Sequence, residues 1–353
     1  MSINSKNIFP KRLEQARKMR GLSLRALADQ MQGTATHAAL HKYETGQMLP
    51  GSAALIAIAN ALRQSVDYFF RPPTVELAKI EFRKRAQLLV KQKAEVQERA
   101  RDFFERYLEV ESLLGLDTEF INPLVGWTIR KPEDIETAAN KLRDAWNLGL
   151  SPLANVLELL EDHQIKVYEL EAPDKFDGLS GWAGKIPVVV VNRLFPADRK
   201  RLTSLHELGH LLLKFADHFT PKEIEKLCHR FAGALLMPLA VFVSEFGGKR
   251  STVTLNELCD LKLRYGISIA AIMARARDLG LVTADFYVRF HIAMNRHGWR
   301  NPEPVEFRGA EQSNRFEQLL YRATASELVS LSKAASLAGK PLAAFRESLQ
   351  LVS

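Results

Sequence analysis

Cysteine is nearly missing from this chain: two thiols, Cys228 and Cys259, stand among 353 residues. Both lie in runs with helical apolar spacing, which argues against a disulfide framework and fits two buried free thiols in a reducing compartment. No apolar run approaches the roughly 18 residues of a membrane span, and Met1 to Pro10 lacks the apolar segment of a secretion signal. The expectation is a cytoplasmic protein with no membrane partner. Gly/Ser, Gln-rich and collagen-like tracts are absent as well, so long disorder is not expected from a composition that is 46% hydrophobic and 25% charged. Acidic charge is in deficit: 41 Asp and Glu face 49 Lys and Arg, a formal net charge of +8. Such a balance points to a polyanionic partner, most simply nucleic acid. The length exceeds what one hydrophobic core usually serves, so two or three domains are expected.

The positive charge is concentrated at one end. Between Met1 and Gln64 there are nine Lys or Arg (Lys6, Lys11, Arg12, Arg17, Lys18, Arg20, Arg25, Lys42, Arg63) against Glu14, Asp29 and Glu44, a net +6. The same stretch reads as short helices. Leu13, Ala16, Arg17 and Arg20 open an amphipathic helix that stops at Gly21; Ser23 caps a second through Leu27 and Met31; Gly33 breaks the chain before Thr36 to Glu44. After "GQMLPG", Leu55, Ile58, Ala59 and Leu62 lead to the aromatic end "DYFF". Five short helices with a tight turn between the second and third form the layout in which one helix crosses the phosphate backbone and the next enters the major groove. The stretch "GLSLRALADQM", with "ATHAALHKYETGQMLPGSAALIAIANALRQSVDYFF", resembles the xenobiotic-response-element family of phage-repressor-type helix-turn-helix domains. The resemblance implies that Thr36, His37, Ala38, His41 and Lys42 face double-stranded DNA while Leu40 and Tyr43 point inward. Ala38 and Ala39 offer few hydrogen-bond donors, so base reading would lean on thymine methyl contact and on His37 and His41.

Pro72-Pro73 ends this module. The segment that follows, "VELAKIEFRKRAQLLVKQKAEVQERARDFFERYLEVESLLGL", is dense in Lys, Arg and Glu, with apolar residues near helical spacing at Leu77, Ile80, Leu88, Val96, Phe103, Phe104, Tyr107 and Leu114. A long solvated helix or helical hairpin is the expected form, able to set the spacing between modules or to form the seam of a homodimer.

Chemistry concentrates in "RLTSLHELGHLLLKF", Arg201 to Phe215. Helices flank it upstream at "DIETAANKLRDAWNLG" and "PLANVLELLEDHQ", and the strands "IKVYEL" and "IPVVVVNR" are separated by the turn-rich "EAPDKFDGLSGWAGK", a mixed α+β pattern. Residues four apart on a helix lie over one another, so His206 and His210 project toward one point. Glu207, about 100° around the helix, stands beside that point as a general base for a metal-bound water. Gly209 removes a side chain where a second helix must come close. That second helix begins with Thr220 as N-cap, Pro221 at the first position and Glu223 at the third, a capping box. Glu225 on it is the expected third ligand, Glu223 a cap residue, and His229 either an outer partner of the ligands or a transition-state donor.

"RLTSLHELGHLLL" followed by "EKLCHRFAGALLMP" is similar to the ImmA/IrrE family of zinc-dependent peptidases, whose members cleave or inactivate phage-type repressors; the similarity runs from about Asn122 to Leu281. It implies Zn2+ on His206, His210 and Glu225, Glu207 as general base, and as substrate a helix-turn-helix repressor or an antitoxin-system partner. His229 stands where the family more usually has asparagine. The linear division that follows is an all-α helix-turn-helix domain at 8–71, a charged helical connector at 72–121, an α+β zincin-like domain at 122–250 and a helical region at 251–353 without a chemical motif of its own. Two functions stay open: a DNA-binding regulator that cuts a repressor or partner protein, or an antitoxin-like autorepressor whose zinc site is structural or idle.

Overall fold

The computed structural model describes residues 8–72, 77–82, 88–116 and 119–349, the segment 77–82 through its backbone. Lys6, Pro73 and the side chains of Leu77 and Ile80, all used in the sequence reading, lie outside the described residues. By contact the chain divides into two compact units. The first joins Met1–Ala78, Arg85–Asp117 and Asn314–Ser353; the second holds Lys79–Lys84 and Thr118–Ser313. This division cuts across the linear one, because the C-terminal helical region is shared between both units.

In the first unit, α1 (Ile8–Met19), α2 (Leu24–Gln30), α3 (His37–Glu44) and α4 (Ser52–Leu62) precede a 3-10 turn at Val66–Phe70. Ser23 caps α2 by accepting from the Ala26 amide, and Thr36 caps α3 by accepting from Ala39. Leu13, Leu27, Leu40, Tyr43, Ile58, Leu62 and Phe69 form the core of this module. Short helices of this kind are marginal alone, and burial of these side chains in a shared core is what stabilises them.

The connector departs from the expected continuous helix. Its first part is a strand, β1 (Leu77–Phe82), and only the later part is helical, as α5 (Val90–Leu113). High Lys and Glu content hid the strand, while Ala78, Ile80 and Phe82 alternate with charged residues at the period of two that a strand uses. One face of α5 is buried through Val96, Ala100, Phe104, Tyr107 and Val110, so it is not the solvated arm that its charge suggested.

The second unit continues with β2 (Thr128–Ile129), α6 (Asp134–Ala145), α7 (Val156–Asp162), β3 (Lys166–Leu170), β4 (Gly178–Ala183) and β5 (Ile186–Asn192). Then follow α8 (Ala197–Leu212), β6 (Lys214–Phe215), α9 (Pro221–Leu236) and α10 (Leu239–Phe246). Three more helices close it: α11 (Leu255–Tyr265), α12 (Ile269–Asp278) and α13 (Ala284–Arg296). The main sheet has the order β1-β4-β5-β3, with β3 parallel and β4 antiparallel to β5; β2 and β6 form a separate parallel pair.

The turn-rich stretch between β3 and β5 contains a strand, β4. Three small residues, Gly178, Ser180 and Gly181, lower its strand propensity, but pairing along all six positions with β5 overrides that preference. Gly178 also has to be small, since a Cβ there would stand 2.8 Å from the Val190 carbonyl oxygen and 2.8 Å from Thr203 of α8. The core around α8 gathers Ile135, Leu142, Leu160, Val189, Leu205, Leu208, Phe231 and Ile272. No single helix among the described residues is long and apolar enough to cross a membrane.

The chain ends, again in the first unit, with α14 (Arg315–Ala325), α15 (Leu331–Ala338) and α16 (Leu342–Ser348), packed on Tyr107 and Val110 of α5 through Phe316, Leu320, Leu337 and Phe345.

Candidate functional site

Helices α8 and α9 cross at Gly209. A Cβ at that position would meet Cys228 of α9 at 3.2–3.4 Å, so glycine is what lets the two helices approach. The approach brings together residues separated along the chain. His206 and His210 from α8 turn their Nε2 atoms toward each other at 3.0 Å. Glu225 from α9 lies opposite, with Oε2 3.4 Å from His206 Nε2 and Oε1 3.4 Å from His210 Nε2. One ligand atom from each of the three falls within 4.8 Å of the others. Tetrahedral ligands about 2.0–2.1 Å from a metal ion stand roughly 3.3 Å apart, so the two imidazoles and the carboxylate fit an ion of that size.

Charge in the cluster favours a cation. The Glu225 carboxyl is held well below the usual carboxylate range by hydrogen bonds to His206 and His210. Burial opposes charge on His210, but hydrogen bonds to Cys228 and Glu225 outweigh it and push the ring's pKa up to about 11. The two shifts share one contact: the imidazoles stabilise the charged Glu225 carboxylate, and the carboxylate in turn stabilises charge on His210.

Glu207 is buried beside this point, and Ser180 of β4 donates its hydroxyl to Glu207 Oε2 at 2.8 Å. β4 thus delivers one hydroxyl to Glu207 and stays glycine-thin at Gly178, which faces the Glu207 side chain. His229, one turn along α9 from Glu225, is exposed and lies with its ring centroid 4.2 Å from that of His206, the planes inclined by 49°.

Two buried ionic networks hold these helices in place. At the start of α8, Arg201 pairs with Glu311 at 2.8 Å, both side chains fully buried, while Glu311 also accepts from the Val156 and Leu157 amides and so caps α7. The guanidinium reaches the Leu153 carbonyl oxygen as well, at 2.8 Å. Burial pushes the Glu311 carboxyl up, with Arg201 pulling it back down. Elsewhere Glu136 of α6 accepts a bidentate pair from Arg275 of α12, at 3.0 and 2.8 Å, and a further bond from Arg230 of α9.

In the first unit, Thr36, His37, Ala38, His41 and Lys42 are all exposed on α3, with Leu40 and Tyr43 buried beneath them. The Thr36 hydroxyl is engaged as the cap of α3. Not every basic residue counted from the sequence is free for phosphate. Arg17 forks onto Glu44 through Nε at 2.6 Å and Nη2 at 2.8 Å, tying α1 to α3, and Arg12 is buried in an ion pair with Glu105 of α5 at 2.7 Å. Arg17 thus braces the module and Arg12 ties its first helix to α5.

Comparison with known families agrees with both halves. The peptidase M78 family model, described as an IrrE N-terminal-like domain, matches residues 160–277, and a helix-turn-helix model matches residues 13–69. The chain fuses a helix-turn-helix domain to an IrrE-like domain. No curated protein matches the chain. The IrrE-like match encloses His206, Glu207, His210, Glu225 and His229, and is narrower at its start than the Asn122 to Leu281 similarity read from the sequence.

Sequence reasoning missed several residues of the IrrE-like domain. Ser180 lies in the turn-rich stretch and carries no motif, and Cys228, expected as a buried free thiol, has its Sγ 3.7 Å from His210 Nδ1. Burial pushes the Cys228 thiol up, and its contact with His210 pulls the other way. Glu311 gave no signal at all, because its partner Arg201 is 110 residues away.

Proposed function

We propose that this protein is a DNA-binding regulator whose IrrE-like domain is a zinc-dependent endopeptidase, cutting a helix-turn-helix repressor or partner protein to change gene expression. The observation that carries the reading is the meeting of His206, His210 and Glu225 around one point, with Glu207 buried at its side and held by Ser180. Two imidazoles and one carboxylate form a three-ligand set that leaves a further position for water or substrate. A zinc ion held by these three would polarise the scissile carbonyl and lower the pKa of water.

The remaining work falls to the chain. Glu207 takes the proton of the attacking water and returns it to the leaving amine, and the Ser180 hydroxyl, bonded to Oε2, holds the carboxylate in orientation. His229, exposed and with its ring 4.2 Å from that of His206, donates a hydrogen bond to the oxyanion that develops as the carbonyl is attacked. Exposed His37, His41 and Lys42 on α3 read DNA, which gives the peptidase a genomic address.

Metal analysis of the purified protein, followed by incubation with helix-turn-helix repressors as candidate substrates, tests the proposal. Zinc near one equivalent, together with cleavage that disappears in Glu207→Gln while zinc is retained, supports it. Zinc-loaded protein whose regulatory output survives Glu207→Gln unchanged would show that peptide hydrolysis is not its function.

A further inference from the structure

Cys228 sits at the α8–α9 crossing, fully buried, three residues after Glu225 on α9. Its Sγ lies 3.7 Å from Nδ1 of His210, the ring nitrogen on the opposite side from the Nε2 that meets His206 and Glu225. A neutral imidazole has one N–H. If its Nε2 lone pair is to face an ion, the hydrogen must sit on Nδ1 and needs an acceptor there. We propose that Cys228 is a positioning residue for the metal centre: its sulfur accepts the Nδ1–H of His210 and fixes both the tautomer and the rotation of that ring.

This inference rests on the metal-binding reading above and extends it to a residue outside the ligand cluster. The more usual partner of a metal-bound histidine is a carboxylate or a carbonyl oxygen. Neither suits this position. Cys228 is fully buried against α8, where even a Cβ added to Gly209 would stand 3.2 Å from its sulfur, so the crossing favours a small side chain. A buried carboxylate would also place a third negative charge beside Glu207 and Glu225, at the desolvation cost that burial imposes. A thiol is small, neutral and polarisable, and accepts weakly at the longer distance that sulfur allows. One helix thus supplies both a ligand, Glu225, and the brace for a ligand of the neighbouring helix, His210.

The test compares the full-length wild type with Cys228→Ala, which removes the acceptor, and Cys228→Ser, which keeps one of similar size. Zinc affinity is measured by chelator competition, Co2+ serves as a spectroscopic probe of ligand geometry, and the His210 ring N–H is followed by NMR in the metal-free protein. Cys228→Ala is expected to weaken zinc binding about 10- to 100-fold, to alter the Co2+ d–d bands and to speed exchange of the ring N–H. Cys228→Ser is expected to restore most of the affinity and the wild-type bands. Wild-type affinity and spectrum in Cys228→Ala would overturn the proposal, as would a serine variant as weak as the alanine one, which would reduce Cys228 to packing. If the alanine variant does not fold, a tenfold loss in the serine variant overturns it alone. A wild type that binds neither ion would defeat the metal-binding reading instead, with the His210 N–H exchange still judging the Cys228 contact.

Discussion

The two halves of the molecule place their working side chains in opposite ways. On α3 the residues facing outward, His37, His41 and Lys42, are exposed, and what fixes them is the layer beneath, Leu40, Tyr43 and the Arg17–Glu44 fork. In the IrrE-like domain the working residues are themselves in the interior: His206 and Glu207 are buried, His210 touches Cys228, and Glu207 receives the Ser180 hydroxyl. A surface that must meet a long polyanion can leave each contact independent, because each adds a modest electrostatic increment. A centre that must hold one ion and one water cannot, since small displacements of a ligand or base there remove the reaction.

That contrast gives an order of expected effects. Glu207→Gln is expected to lower peptide cleavage by about 100- to 10,000-fold with zinc content unchanged, read by turnover and metal analysis on the same sample. Next, Glu311→Ala leaves Arg201 buried without its charge partner and removes the acceptor of the Val156 and Leu157 amides in the first turn of α7, whose N-cap Asn155 remains. Thermal melting is expected to show a loss of about 3–5 kcal/mol. Arg17→Ala removes a largely buried fork and is expected to cost about 1.5–3 kcal/mol, weakening DNA binding without touching zinc content. The smallest effect belongs to Lys42→Ala, which is expected to reduce the log–log salt slope of DNA binding by about 1 while changing stability very little. A Lys42 substitution that unfolds the module, or an Arg17 substitution that strips the metal, would break the distinction between independent and mutually held sites.

Much of the candidate metal site was legible in the sequence because its parts are local. His206 and His210 are one helical turn apart, Gly209 marks a close crossing, and the capping box at Thr220 and Glu223 forms as expected, the Thr220 amide bonding Glu223 Oε2 at 2.8 Å. What local pattern could not convey was pairing at a distance. β4 is a strand because β5 lies beside it, and β1 is a strand because the sheet has an edge for it, although its charge pattern read as helix. The basic excess of the first 64 residues was read correctly as a count but not as a surface, since an arginine's partner 27 or 93 residues away decides whether it meets solvent.

The sequence alone determined the chemical inventory: a two-histidine helix with a glutamate one position on, a capped helix carrying a third candidate ligand, and a small basic helical module ahead of them. These are properties of helical periodicity and of residue type, and they hold wherever such a helix forms. Only the tertiary structure decided that α9 crosses α8 at Gly209 so that Glu225 meets both imidazoles, that Ser180 reaches Glu207 and Cys228 reaches His210, and that residues 251–313 and 314–353 serve different cores. Each of those outcomes depends on which surfaces pack against one another, and packing is set by the whole chain at once.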